Sequence, residues 1–417
     1  MPKPTKYTQG SIIYFSGDMD DRIFILQSGQ ISLTSVDIET KRPIEQQLHA
    51  GEFFGVKSAL GHFPREETAT VLESSTTIVL TIPEFETIFS NNKPLIMKML
   101  RVFSTQLRDI HKQTESILHN TATVSTQEGM LEVARSFFDD EQYRSCCDVC
   151  NKLMQEFPTS PKIEAAAKLL EDSNRRYQNQ LKTGQIHKVA EVQNANVSNP
   201  TTLTQFSLPA FGRFAKTYEP GQVIISEFEP GTTFYLIQSG QVQLVKCVNG
   251  TKKNLDILMP GEIFGEMAIL DNSPRSATCV AIGEVEVLEF NKENFSILVT
   301  GNPQMALILL KLFCKRIYDQ KRRFKTLCIK DTSARICDVF LMFDELHPGK
   351  DLEARKRRFN LTIQDLSHWA GLPINIVNDE VNKLVEKRRL EIYENYMIVA
   401  NIGEIKRTVE QKTAVRL

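Results

Sequence analysis

Residues 264–279 read FGEMAILDNSPRSATC, and this stretch decides the fold. Gly265 permits a close approach of the backbone, and residues 266–270 can form a short helix whose free N–H groups face an anion. Arg275 follows a proline-bounded turn and supplies a planar cation that can hold two phosphate oxygens. Further donors follow at Ser276 and Ala277. The stretch therefore predicts one half of a phosphate site.

The surrounding pattern occurs twice in the chain. The segment YTQGSII at 7–13 aligns with YEPGQVI at 218–224, and FILQSGQ at 24–30 aligns with YLIQSGQ at 235–241, both at an offset of 211 residues. Each copy alternates apolar and polar residues in short runs between glycines and prolines, which is typical of a β-sandwich or jelly roll. After each copy the apolar period becomes helical, which predicts a long helix that packs on the core or forms a dimer seam.

The second copy resembles the cyclic-nucleotide-binding domains of bacterial cAMP receptor proteins and of kinase regulatory subunits. One arginine and one carboxylate are what a singly charged cyclic phosphate and a sugar hydroxyl require. By that resemblance Glu266 contacts the ribose 2′-hydroxyl and Arg275 contacts the cyclic phosphate. The implied remainder of the cradle is Gly265, Ala268, Ser276 and Ala277. The implied ligand is cAMP or cGMP, between which the sequence does not choose, and no metal is expected.

The first copy reads FGVKSALGHFPREETAT at 54–70 and departs from this pattern. Val56 stands at the carboxylate position and cannot accept from a ribose hydroxyl, and a buried donor left unpaired costs about 1–3 kcal/mol. Arg65 is retained, but Glu66 and Glu67 add negative charge beside it, so we expect Arg65 to pair internally. The first copy is therefore expected to be degenerate, with a structural or dimerising role. An altered ligand is the alternative.

The segment between the copies has helical periodicity. Residues 127–181 resemble a single tetratricopeptide-type hairpin, which must pack on a neighbour or a protein partner because stacking normally needs three or more repeats. Cys146, Cys147 and Cys150 lie close together, but no second ligand pair follows at metal spacing, so we expect free thiols. Residues 184–205 lack periodicity and read as a linker.

The C-terminal third has the spacing of two helices around a tight turn. The helices fall within residues 362–389, the turn is at Gly371, and residues 390–399 follow as a wing. This resembles the winged helix-turn-helix of the Crp/Fnr-like family of cAMP receptor proteins. The candidate DNA contacts are Arg355, Lys356, Arg357, Arg358, Asn375 and Asn378. The module is neutral and carries acid near the start of its second helix, so DNA binding and a protein-interaction role both stay open.

These observations predict an α+β, multidomain chain with five segments. They are a degenerate cyclic-nucleotide-binding domain at 1–118, a helical hairpin at 119–183, a linker at 184–205, a cyclic-nucleotide-binding domain at 206–328 and a winged helix-turn-helix module at 329–417. Both barrels are predicted jelly rolls with closing helices.

Composition limits the classes of function. The 417 residues carry 50 basic and 51 acidic side chains, so no global field attracts nucleic acid. Eight cysteines are too few for a disulfide scaffold, and no window has the length and apolarity of a membrane helix, so we expect a cytoplasmic protein.

We expect a cyclic-nucleotide-responsive regulator, most directly a transcription factor, because no nucleophile–base pair or kinase loop points to an enzyme. The alternative is a cyclic-nucleotide-regulated scaffold that binds protein, through residues 127–181 and the C-terminal module, without binding DNA specifically. The basic end of the second long helix, residues 321–325, is expected to dock on DNA phosphate or on an acidic partner. A homodimer through the long helices is also left open.

Overall fold

The computed structural model describes residues 4–118, 125–184, 209–248, 250–271, 273–346 and 355–413. Most of the predicted linker, residues 185–205, lies outside this range. The chain forms two compact units. The first comprises Met1–Asn91, Gln106–Leu118 and Leu310–Leu417, and the second comprises Asn92–Thr105 and His119–Leu309. Within the described ranges, no helix combines the length and apolar character that a membrane crossing requires.

The first barrel is a six-stranded antiparallel sheet in which β6 and β3 are the central strands. Its strands are β1 (Pro4–Tyr7), β2 (Ile12–Tyr14), β3 (Ile23–Val36), β4 (Pro43–Leu48), β5 (Phe53–Phe54) and β6 (Thr68–Leu80). Its helices are α1 (Val56–Gly61), α2 (Ile82–Ser90) and the long α3 (Lys93–Leu118). Alternate residues of β3 point inward, so Phe24 and Leu26 are fully buried.

The second barrel repeats this topology with β12 and β9 at its centre. After a 3-10 helix at Pro209–Phe214 come β7 (Ala215–Tyr218), β8 (Val223–Ile225), β9 (Thr233–Val248), β10 (Thr251–Leu258), β11 (Ile263–Phe264), α7 (Glu266–Asp271), β12 (Thr278–Asn291), α8 (Lys292–Gly301) and α9 (Pro303–Leu327). Tyr235 and Ile237, which align with Phe24 and Leu26, are buried in the same way. The predicted duplication is confirmed.

Three helices precede the second barrel in the chain: α4 (Thr126–Asp139), α5 (Tyr143–Glu156) and α6 (Ile163–Thr183). We call them the helical segment. Its apolar face packs on the barrel, where Phe137, Val149 and Cys150 meet Val223 and Val245. The neighbour that a single helical repeat requires is therefore the second barrel, and the segment has three helices where the sequence predicted a hairpin.

The C-terminal region is a small module with its own core. It consists of α10 (Thr332–Leu346), β13 (Arg357–Phe359), α11 (Ile363–Ala370), α12 (Ile374–Glu386), β14 (Leu390–Ile392), β15 (Met397–Val399) and α13 (Ile402–Thr413). Thr362 and Asp365 form a capping box at the start of α11, and Gly371 ends that helix with φ 60°. The three strands pair in the order β13-β15-β14, antiparallel.

The apolar stripes of the two long helices are buried within a single chain. Ile96 and Leu107 on α3 are almost completely buried, as are Phe313 and Ile317 on α9. These residues of the stripes therefore belong to core packing, whereas Val102 on α3 is exposed.

We predict that Phe137→Ala lowers the free energy of unfolding by about 3–5 kcal/mol, because the ring is 1 % exposed at the junction of the helical segment and the barrel. Phe15→Ala is the control, since Phe15 is 55 % exposed and its loss should change stability by less than about 0.5 kcal/mol. Urea denaturation followed by far-ultraviolet circular dichroism measures both. Equal midpoints for the two variants would contradict the described packing.

Candidate ligand-binding site

Two glycines leave room for one arginine: Gly265 in the segment between β11 and β12, and Gly231 in the segment between β8 and β9. Gly265 has φ 80°, and a Cβ atom there would lie 2.8 Å from Nη1 of Arg275. At Gly231 a Cβ atom would lie only 2.1 Å from the Cβ of Ala268. The predicted short helix is present as α7 and begins at Glu266, directly after Gly265.

Arg275 is 4 % exposed and is held from two sides. Its Nη1 donates to the carbonyl oxygen of Gly265 at 2.7 Å, and its Nη2 donates to Oγ1 of Thr233 at 3.0 Å. Its Nε makes no hydrogen bond with any described residue and lies 3.8 Å from Oε1 of Glu229. Arg275 is thus a fixed, buried cation that keeps unused donor capacity.

Three further charged side chains lie beside this loop: Glu229, Lys246 and Glu227. The backbone N–H of Arg275 donates to the carbonyl oxygen of Glu229 at 2.9 Å, which brings the Glu229 side chain to the guanidinium. Nζ of Lys246 donates to the carbonyl oxygen of Ser276 at 2.9 Å and lies 3.2 Å from the buried carboxylate of Glu227. Burial raises the pKa of Glu229 above its ordinary value, against the opposing effect of neighbouring cations.

All six sequence-predicted ligand residues lie in this one loop or at its edges. Glu266, Ala268, Arg275 and Ala277 are buried, whereas Gly265 and Ser276 are half-buried. The sequence did not single out three others that shape the site, Glu229, Gly231 and Thr233. A signal for them was available, because the two copies differ at these positions once they are aligned at the offset of 211.

The arrangement fits a phosphate anion. A buried arginine with an unpaired donor is costly to keep, because its desolvation is not fully compensated. An anionic oxygen would supply the missing acceptor, and Gly231 places no side chain on that side of the guanidinium. When it is bound, a cyclic nucleotide would supply this anion, with Arg275 as its charge partner.

The first copy surrounds the two Nη atoms of the equivalent arginine, Arg65, with acceptors, while its Nε, like that of Arg275, has no hydrogen-bond partner among the described residues. Arg65 is a fully buried side chain whose Nη1 donates to the carbonyl oxygen of Gly55 at 2.6 Å and to Oγ of Ser58 at 2.7 Å. Its Nη2 donates to the carbonyl oxygen of Arg22 at 2.5 Å and lies 3.3 Å from Oδ2 of Asp20. Asp20 aligns with Gly231, so a carboxylate in the chain stands where the second copy has no side chain.

Of the two glutamates after Arg65, Glu66 makes its ion pairs with other residues. The carboxylate in contact with Arg65 is Asp20, whereas Glu66 pairs with Lys57 at 3.1 Å and with Lys321 on α9 at 2.8 Å. Burial alone would raise the pKa of Glu66, but the two lysines hold it below its ordinary value. Glu66 is therefore an anchor for α9.

A ring pair strengthens this anchor. The ring of Phe63 stacks on Tyr318 of α9, with centroids 4.2 Å apart and an interplanar angle of 16°. In the first copy, the segment that follows α1 therefore holds α9 through two residues, Phe63 and Glu66.

Two arginines at the basic end of α9, Arg322 and Arg323, contact other residues of the first unit. Nη1 of Arg322 donates to Asp338 at 2.8 Å, and its Nε donates to Glu345 at 2.6 Å. Arg323 is buried with its guanidinium 4.7 Å from the centroid of Trp369, and burial lowers the pKa of Arg323 to about 10. The sequence predicts that this end of the helix docks on DNA phosphate or an acidic partner, but these two arginines are already paired or buried within the protein.

The six candidate DNA contacts differ in their burial and in the contacts they make. Arg357 is buried and its Nε donates to Asp344 at 2.8 Å, so it belongs to the core of the module and its candidacy is corrected. Lys356 pairs with Glu391 at 3.1 Å, and the guanidinium of Arg358 lies 3.9 Å from the ring centroid of Tyr396. The remaining candidates are Arg355 and Asn375, which are exposed, and Asn378, which is half-buried.

The three buried cysteines of the helical segment are free thiols. Burial raises the pKa of Cys147 to about 12, which leaves its thiol protonated at neutral pH. Among the residues that the structure describes, no cluster of histidine, cysteine or acidic side chains could hold a metal ion.

Comparison with known proteins gives relatives for part of the chain. A cyclic AMP receptor protein of Thermus thermophilus is 31 % identical over 127 residues, which is 30 % of this chain and 59 % of that protein. A CRP-like cAMP-activated global transcriptional regulator of Mycobacterium tuberculosis is 24 % identical over 38 % of this chain and 71 % of its own length. The chain thus spans under two thirds of the Thermus relative.

A third relative is a kinase regulatory subunit. A cAMP-dependent protein kinase regulatory subunit of Mucor circinelloides is 35 % identical over 79 residues, which is 19 % of this chain and 18 % of that protein. Among solved structures, the catabolite activator protein of Thermus thermophilus is 23 % identical, covers 51 % of this chain and all of its own, and has a TM-score of 0.30.

The family comparison agrees with the two barrels. Residues 4–92 and residues 215–302 each match the family described as the cyclic nucleotide-binding domain. The chain therefore contains two cyclic nucleotide-binding domains.

Proposed function

We propose that the chain is a cyclic-nucleotide-responsive regulator that binds cAMP or cGMP in its second domain and acts through its C-terminal module. The observation that carries this proposal is the contrast between the two arginines. Within the described part of the chain, both arginines have an Nε without a hydrogen-bond partner, but Nη2 of Arg65 donates to the carbonyl oxygen of Arg22 and lies 3.3 Å from Oδ2 of Asp20, whereas Gly231, which aligns with Asp20, places no carboxylate beside Arg275. One site per chain follows from that contrast.

Roles within the site follow from the resemblance to cyclic-nucleotide-binding domains. Arg275 holds the cyclic phosphate, and Glu266 accepts a hydrogen bond from the ribose 2′-hydroxyl. Gly265, Ala268, Ser276 and Ala277 complete the cradle. Nζ of Lys246 fixes the backbone carbonyl of Ser276, which steadies the loop on the phosphate side.

Coupling to the output runs through α9 in this proposal. The helix follows the ligand-binding barrel directly in the chain, and its second half is bonded to Glu66 of the first domain and to Asp338 of the C-terminal module. A ligand shifts such a system only if it prefers one position of the helix over another. The first domain then acts as a holder of the helix that needs no ligand of its own.

The C-terminal module is proposed to be a winged helix-turn-helix that binds DNA. Support comes from two helices, α11 and α12, joined by a short turn and followed by the β14–β15 ribbon. The names of two relatives, a cyclic AMP receptor protein and a cAMP-activated transcriptional regulator, agree with this role. The relatives are named as receptors and regulators, which supports a regulatory and not a catalytic protein.

A protein-binding output is the second candidate, and the surface of α12 favours it. Asp379 is exposed near the start of that helix, where negative charge would face DNA phosphate. Several basic side chains of the module are already paired, among them Lys356 with Glu391. The scaffold alternative therefore keeps a specific observation in its favour.

Calorimetric titration with cAMP and with cGMP tests the ligand. We expect one site per chain, and we expect Arg275→Met to weaken binding by about 2–5 kcal/mol, roughly thirtyfold or more, because a charge-assisted contact to a desolvated anion is lost. Glu266→Ala should weaken binding less, since it removes one hydroxyl contact. Two equivalent sites in the wild type, or no site at all, would contradict the assignment.

Arg65→Met is the matched control in the other domain. It should leave the number of sites and the affinity unchanged, but lower the free energy of unfolding by about 3–5 kcal/mol, because it removes the buried cation that donates to the carbonyl oxygens of Gly55 and Arg22. Loss of ligand binding in a folded Arg65→Met variant would place the ligand in the first domain instead.

Binding to mixed genomic DNA at increasing salt tests the output. If the module binds DNA, the affinity falls steeply between roughly 50 and 200 mM salt, because phosphate contacts release counterions. Reversing the exposed charges with Lys387→Glu and Arg388→Glu, at the end of α12, should weaken binding further. The same change at Lys406 and Arg407, exposed on α13, is the control. Absence of binding, with intact ligand affinity, would favour the scaffold.

A further inference from the structure

Helix α5 of the helical segment is fastened along the second barrel by polar side chains on one face. Oγ of Ser145 donates to the carbonyl oxygen of Gly221 at 2.7 Å, and a carboxylate oxygen of Asp148 accepts from the backbone N–H of Val223 at 2.9 Å. Lys152 follows one helical turn later, on the same face. The docking of the helix therefore determines where the Lys152 ammonium lies.

That ammonium reaches the ligand loop through one carboxylate. Nζ of Lys152 lies 3.0 Å from Oε2 of Glu229, while Nε of Arg275 lies 3.8 Å from Oε1 of the same residue. The Glu229 side chain is 8 % exposed and that of Lys152 is 26 % exposed. A single carboxylate is thus shared between a cation of the helical segment and the cation of the ligand site.

Because Glu229 contacts both cations, Lys152 affects how strongly Arg275 attracts an anion. Glu229 alone would neutralise Arg275 and repel an incoming phosphate at short range in a poorly solvated site. With Lys152 on its other oxygen, Glu229 is already compensated, and the guanidinium keeps its attraction for the phosphate. The unpaired Nε of Arg275 is the donor that benefits.

We propose that Lys152 is a positioning residue for the ligand phosphate, which makes the affinity of the second domain depend on the docked helical segment. The inference rests on the proposed function, since it concerns the same site. A merely structural role would confine the effect of Lys152 to stability. A positioning role requires that its effect on affinity pass through Glu229.

The test is a double-mutant cycle read by calorimetric titration of the full chain with cAMP and cGMP. Lys152→Met should weaken binding on the order of tenfold, within the range typical of coupled sites, whereas Lys152→Arg, which keeps the charge, should retain wild-type affinity. In a Glu229→Gln background the change at Lys152 should have no effect on affinity. Thermal melting of each variant shows that the chain is folded.

Lys162→Met is the matched control, because Lys162 also forms an ion pair in the helical segment, with Glu128. It should leave affinity unchanged. If the wild type binds and Lys152→Met binds equally well, the inference is overturned and the proposed function stands. The inference also fails, and the proposed function again stands, if Lys152→Met weakens binding equally with and without Glu229. A wild type that binds neither nucleotide overturns the proposed function and the inference together.

Discussion

Burying a guanidinium is the constraint on which both barrels depend. A charged arginine removed from water must find acceptors and a counter-ion, or the fold loses several kcal/mol. Arg65 and Arg275 occupy equivalent positions, and both donate from Nη1 to a glycine carbonyl oxygen. They differ in the counter-ion. In the first barrel it is Asp20, 3.3 Å from Nη2 of Arg65, and in the second it is Glu229, 3.8 Å from Nε of Arg275 and shared with Lys152.

The loops of the two domains also make different contacts. Arg65 has a carboxylate of its own barrel at 3.3 Å and donates three hydrogen bonds within that barrel, and the residue that follows it makes a different contact. Glu66 aligns with Ser276, because the offset between the copies is 210 residues in this part of the repeat, and it binds two lysines and thereby fixes a helix. The same fold therefore occurs with two kinds of loop. The loop around Arg275 fits a small anion, and the loop around Arg65 contacts helix α9.

The parts of this architecture that could be read from the sequence are those set by local pattern. Period-two alternation and the glycine spacing predicted both barrels, and the loop around Arg275 predicted which residues gather there. The exchange of Glu266 for Val56 already marked the first copy as different. The internal pairing expected for Arg65 is present, but its carboxylate is Asp20, which lies 45 residues earlier in the chain, where no local pattern points to it.

The remaining contacts join residues that are far apart in sequence, and no periodicity indicates such a pair. Lys152 and Glu229 belong to different elements, and only the docking of α5 brings them together. The basic run of α9 also shows that a sequence pattern does not determine long-range contacts. It has the pattern of a solvated or nucleic-acid-facing surface, yet Arg323 is buried against Trp369.

That last contact gives the protein a built-in optical reporter. Trp369 is the only tryptophan in the chain, so all indole emission comes from the single place where the end of α9 meets the C-terminal module. A guanidinium stacked on an indole alters its emission, and a displacement of the helix would remove that influence. Tryptophan emission of the unlabelled protein therefore reports on the contact between the helix and Trp369 without a dye.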